Sequence, residues 1–165
     1  MSQVQTMWST LSPLPLGARL FSFAFSRKAP YFATVRPRFT RIEPHRVELV
    51  VPKRRSVHNH LGTVHAIALC NGLEAAMGAL AEVTIRADQR WIPKGMEVAY
   101  TAKATSDVTC VAETDAADWS EAALPASGGE VAVRVSGTRD DGTTVIEGVI
   151  RLWVTPRTRA AAPPG

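Results

Sequence analysis

The sequence predicts an α+β fold in which one long apolar helix is wrapped by a curled antiparallel β-sheet. Three observations carry that prediction. From Ala66 to Ala81 only Asn71 and Glu74 are strongly polar, so a helix here is apolar all round and needs cover on every side. After it, apolar and polar residues alternate through 96–101, 108–113 and 131–136, the period of half-buried strands. Asp141-Gly142 is then a two-residue hairpin signal ahead of a returning strand over 144–154. A single curled sheet has free edges, and pairing across a two-fold axis satisfies them. A homodimer or a dimer of dimers is expected.

Residues 1–30 read as a partly helical arm, interrupted at Pro13 and Pro15. Its Leu16, Leu20, Phe21, Phe23 and Phe25 need cover. They either pack on the main domain, or form a lid on an apolar channel or a contact with a partner. The domain proper spans 31–155. Val47, Leu49 and Val51 alternate with Glu48 and Val50, which predicts a strand covered mostly on both faces. Pro52 and the basic run Lys53-Arg54-Arg55 follow, then the helix from about Val64 to Ala81. Its small residues, Ala68, Gly72, Ala75, Ala76 and Gly78 among them, let neighbouring backbones come close. Gly128-Gly129 marks a loop, and residues 156–165 are expected to be a disordered tail.

At 165 residues with 45% hydrophobic and 21% charged content, the chain is long enough for one domain with a sizeable core. Its net charge of +4 and pI near 9.5 favour anionic ligands. Two cysteines, Cys70 and Cys110, make no disulfide framework and suit a reducing, cytoplasmic location, with Cys70 read as a small core residue. No apolar run is long enough to span a bilayer. No acidic residue precedes Glu43, as in organellar transit peptides, but sparse basic residues and the two prolines weigh against one. No RNA-binding signature is present, so no nucleic-acid partner is expected.

Glu74 is the informative residue. A carboxylate in an apolar helix is unfavourable unless it pairs with a base or performs chemistry. Upstream lies Asn59-His60-Leu61-Gly62-Thr63-Val64-His65, which ends where free backbone N–H groups of a helix N-terminus, at Ala66 and Ile67, can stabilise an oxyanion. Glu74 follows His65 by nine residues, ~14 Å along the axis and roughly on the opposite face. One reaction centre cannot touch both within a chain. The spacing therefore points to a site that joins Asn59 and Ala66 of one protomer to Glu74 of another.

The motif Asn59-x-x-Gly62-x-x-His65, with a carboxylate nine residues on, resembles the phenylacetyl-CoA type of hotdog-fold thioesterase. The likeness covers about residues 30–155. It is similar above all to an uncharacterised branch marked by Pro30-Tyr31-Phe32, by Asn59 through Ala66, and by Arg90-Trp91-Ile92-Pro93-Lys94-Gly95-Met96. The resemblance implies that the protein hydrolyses acyl-CoA or another acyl thioester. Glu74 would act as general base or nucleophile, Asn59 would position the thioester or water, and His65 would open the helix. The Ala66 N–H would polarise the carbonyl. Ala66 and Ile67 stand where the family has two glycines, and Ile92, Pro93 and Lys94 where relatives carry a Ser or Thr.

Each assignment has a plainer reading: a salt bridge for Glu74, a turn for Asn59, loop shaping for His65. Asn71, three residues before Glu74, either orients the carboxylate or packs. Gly62 shapes the binding loop. Lys53, Arg54, Arg55, Arg90 and Lys94 are candidates for coenzyme A phosphates, or else solvated surface, and Trp91 stacks on adenine or is structural. No cofactor or metal is expected: His58, His60 and His65 lack a matching Cys or Asp set, although His58 and His60 would share one face of a strand. Rival readings are a non-catalytic acyl-CoA-binding or sensing dimer, a hydratase on the same scaffold, and a structural interaction protein.

Overall fold

The structure, a computed structural model, describes residues 2–121, 123–125 and 127–157. Residues 158–165 of the expected tail lie outside the described residues. Two helices open the chain, α1 (Gln3–Leu11) and α2 (Gly17–Lys28). Pro13 and Pro15 lie between them. The corner is so tight that a Cβ on Gly17 would stand 1.7 Å from the Leu11 carbonyl oxygen. Phe21 and Phe25 turn inward and meet Phe39 with ring centroids 5.3 and 4.8 Å apart, while Trp8 sits edge-on to Phe21. The buried Ser22 hydroxyl accepts from the Phe39 N–H at 2.9 Å. The arm therefore packs on the sheet, but Leu16, Leu20 and Phe23 stay exposed.

A 3-10 turn, Pro30–Thr34, leads into β1 (Arg38–Glu43) and β2 (Arg46–Val51). Helix α3 (Ala66–Thr84) follows, then β3 (Gln89–Tyr100), β4 (Val108–Glu113), β5 (Gly129–Arg139) and β6 (Thr144–Pro156). The six strands form one sheet in the order β1-β2-β4-β5-β6-β3, every neighbouring pair antiparallel. β1 and β3 are its edges. Val47, Leu49 and Val51 face the helix side with Val108, Cys110, Val131, Val133, Ile150 and Leu152. β2 is fully covered on that face alone; Arg46, Glu48 and Val50 on its other face are half-buried. β6 runs to Pro156, and Arg157 is still tied down, its backbone N–H donating to Asp88 and its Nε to the Gln89 carbonyl.

α3 starts two residues later than the sequence suggests, because Val64 is spent on a bridge with His58. It ends at Thr84, where Ile85 turns extended and the Thr84 hydroxyl accepts from the His45 N–H. The helix lies mainly across β2 and β4. Leu73, Met77 and Leu80 are fully buried, each contributing roughly 1.5–3 kcal/mol through apolar burial. By length and composition α3 is apolar enough to cross a bilayer, contrary to the sequence expectation, but 67% of its most apolar window is buried inside the fold. Nor is it covered on every side: a stripe through Ile67, Cys70 and Glu74 is exposed or half-exposed in the chain.

Candidate functional site

Two features of α3 define the candidate site. The first is its N-terminus. His65 is the N-cap, and its Nδ1 accepts from the Ile67 N–H at 3.1 Å. Its carbonyl takes the N–H groups of Ala68 and Leu69. Of the first-turn donors, the Ala66 N–H alone has no partner among the described residues. One donor with the helix dipole behind it is therefore left to bind an anion or a polarised carbonyl oxygen. Ile67, named from sequence as a second donor, is taken by the cap.

The loop before the helix is held by Asn59. Its Oδ1 accepts from the Leu61 and Thr63 N–H groups at 2.9 and 3.2 Å, and its Nδ2 donates to Thr63 Oγ1 at 2.9 Å. Gly62 sits at φ +72°, a left-handed conformation that favours glycine, and its N–H closes the turn onto the Asn59 carbonyl. Asn59 thus acts on the loop, the plainer of the two roles the sequence allowed. His58 and His60 do not share a strand face: His58 is bridged to Val64, and His60 lies in the turn. No group of three potential metal ligands occurs among the described residues.

The second feature is Glu74. It is half-buried and has no salt bridge or hydrogen bond among the described residues, so the salt-bridge reading fails within the chain. Cys70, Glu74 and Gly78 follow one another at four-residue spacing along one face. Cys70 Sγ lies 3.3 Å from the Tyr100 hydroxyl, and a Cβ on Gly78 would meet the Trp91 ring at 3.5 Å. Glu74 therefore looks onto the middle of β3, the free edge strand. The Cys70 hydrogen bond, assisted by burial, pushes the Tyr100 phenol up to about 12. Tyr100 and Cys70 had no signal in sequence, because only the fold sets β3 beside this face. Trp91 is structural, its Nε1 donating to Glu82 at 3.1 Å.

Several candidates fall elsewhere. Asn71 turns away from Glu74; its Nδ2 donates to Thr34 Oγ1 at 3.1 Å and, at 3.3 Å, to the Tyr31 carbonyl. Its buried Oδ1 and the buried Nε2 of His58 have no partner among the described residues, and both residues line a recess of about 210 Å³ beside the α3 N-terminus. Arg54 braces the loop instead of reaching outward, donating to Ser56 Oγ and the Thr34 carbonyl. Burial, with Arg36 and Arg38 nearby, holds its guanidinium below the ordinary arginine range. Arg55, Arg90 and Lys94 are exposed. Arg90 adjoins Trp91, whose partner Glu82 lies ~24 Å along α3 from Ala66. The basic candidates do not form one patch within a chain. Nor does one chain join the two candidate features, since eight residues of continuous helix hold Ala66 and Glu74 ~12 Å apart along the axis.

The fold is that of hotdog proteins. A crystal structure described only as genomics APC5556 matches with a TM-score of 0.79 and 41% identity, covering 93% of this chain and 98% of its own. PA5026 from Pseudomonas aeruginosa, described as a protein of unknown function and probable thioesterase, matches at TM-score 0.75 and 23% identity, covering 87% of this chain and 97% of its own. A thioesterase family protein from Silicibacter pomeroyi matches at 0.63 and 19%, covering 82% and 96%. No curated protein matches the chain. The profile of DUF4442, a domain of unknown function, spans residues 17–154, and the chain belongs to that family.

Proposed function

We propose that this protein hydrolyses acyl thioesters, with acyl-CoA the foremost substrate class, in two equivalent sites shared between the copies of a homodimer. In each site the Ala66 N–H of one copy polarises the thioester carbonyl. Glu74 of the other either takes a proton from the water that attacks the carbonyl carbon or attacks that carbon itself, forming an acyl-enzyme that water then hydrolyses; the C–S bond breaks, the coenzyme A sulfur leaves with a proton and the acyl group leaves as the carboxylic acid. Asn59, Gly62 and His65 hold the loop and the helix start in position. The observation that carries this reading is the half-buried Glu74, without a partner among the described residues and turned toward the side of the free β3 edge, whereas Glu82, the other carboxylate of α3, is bonded to Trp91. Exposed Ile67, Ile92 and Tyr100 on the same helix stripe and edge strand supply apolar surface for a second copy. Solved hotdog relatives described as thioesterases agree with it.

The test is free-thiol release from short, long and aromatic acyl-CoAs. Glu74→Gln lowers kcat by ~10² or more if general-base catalysis is lost. Unchanged turnover in a folded Glu74→Gln protein removes the carboxylate from the mechanism. A second reading, an acyl-CoA-binding dimer without turnover, draws on the capping of the Ile67 N–H by His65, which leaves a single donor. It predicts saturable acyl-CoA binding with no thiol released by the wild type.

A further inference from the structure

We propose that the arm docks this protein on anionic membrane surfaces, with α2 lying against the lipid. The charge of the chain is segregated. Residues 1–42 hold six basic residues and no Asp or Glu, whereas the remainder carries a net −2. The whole excess of positive charge therefore sits on the arm, the segment that joins it to β1 and β1 itself, where Arg41 is paired with Glu43 and Glu48. It surrounds an apolar crest: Leu20 and Phe23 of α2 and Leu16, the residue that caps it, are 55%, 63% and 71% exposed. The opposite face of the helix already fills the core with Phe21 and Phe25, so the crest is surplus to the fold.

The arginines are placed for headgroups. Arg27 lies over the Phe23 ring, 5.9 Å from its centroid. Arg19, Phe23, Ser26, Arg36 and Arg38 line a hollow of about 470 Å³ between α2 and the start of β1. None of Arg19, Arg27, Arg36 and Arg38 has a salt bridge among the described residues. Guanidinium groups suit lipid phosphates, and Leu and Phe side chains suit the acyl boundary beneath them; the pairing is that of interfacial helices. A second copy of the same face is a poor occupant, since it would set arginine against arginine with no acid in the arm to offset them.

The experiment is co-sedimentation of the full chain with vesicles. Partition onto mixed phosphatidylglycerol–phosphatidylcholine vesicles should exceed that onto phosphatidylcholine alone by roughly tenfold or more and weaken as salt is raised. Arg36→Glu with Arg38→Glu should abolish the excess, and Leu20→Ser with Phe23→Ser should reduce binding severalfold. All four sites are exposed, and circular dichroism checks that the variants fold. Equal binding to both vesicle types, or charge-reversed protein that binds like wild type, overturns the proposal. So does a fall in solution mass for Leu20→Ser with Phe23→Ser, which makes the crest a contact between copies. Binding that ignores the crest variants and is matched by polyglutamate also overturns it, in favour of a general polyanion site.

Discussion

Ala66 occupies the first helical position, the one place in a helix where proline is tolerated because its N–H has no intrahelical partner. His65 before it is already extended, at φ −65° and ψ 140°, the conformation a following proline demands. Ala66→Pro therefore replaces the N–H of the proposed site by a ring methylene and leaves the helix standing. It should keep wild-type circular dichroism and Tm while kcat for thiol release falls by ~10²–10³, the loss typical of one oxyanion donor. Retained activity would place the carbonyl contact elsewhere. At this scale the sequence placed Glu74, Ala66 and His65 on or at the start of the helix, because a polar group in an apolar helix and the residues at its start are constrained by the helix itself. It misplaced Asn71 and Arg54. Helical spacing says which face a side chain leaves from, but not that Tyr31 and Thr34 of the 3-10 turn arrive there to receive it.

Elements meet most closely where α3 crosses β2 and β4. A Cβ on Gly72 would fall 2.4 Å from Val51 Cγ2 and 3.1 Å from Cys110 Sγ, both in fully buried residues. Gly72→Ala gains ~1 kcal/mol in helix propensity and loses ~1–3 kcal/mol to overpacking. A β-branched valine has few rotamers in which to retreat, so the loss wins. Thermal unfolding should show Tm lower by roughly 2–4 °C per kcal/mol of net loss; a higher Tm would mean that α3 has room to move off the sheet. The β5–β6 hairpin gives a pH test. Arg139, aided by Thr143, holds the Asp141 carboxyl down at about 2, from an ordinary 3.8. A lowered folded-state pKa stabilises above the unfolded value and is lost as pH falls through the folded one. Its contribution should therefore fade between about pH 4 and pH 2, and Asp141→Asn should remove that part of the pH dependence. An identical acid limb in wild type and variant would detach Asp141 from hairpin stability. Alternation and the Asp-Gly turn exposed β2, β4, β5 and β6 to sequence reading. β1 escaped it because a bulge between Phe39 and Arg41 puts the inward Phe39 and Ile42 three residues apart. β3 was seen only in its second half, since Pro93 and Gly95 flank a second bulge.

For the whole molecule, the free β3 edge, the open stripe on α3 and the separation of Ala66 from Glu74 are the three features on which the proposed shared site rests. The nine-residue spacing of His65 and Glu74 and the free edges of a curled sheet led to the same expectation from sequence. The segregation of charge toward the arm was visible as well, but its meaning was not, because only the folded chain separates Phe21 and Phe25 in the core from Leu20 and Phe23 outside it. The most direct measurement mixes two defects. A heterodimer of one Glu74→Gln copy and one Ala66→Pro copy, purified through two different tags, carries both defects in one shared site and neither in the other. Shared sites predict thiol release at about half the wild-type rate per dimer, far above either parent homodimer. A heterodimer no more active than its parents would place Ala66 and Glu74 in the same site of one chain, or outside the chemistry altogether.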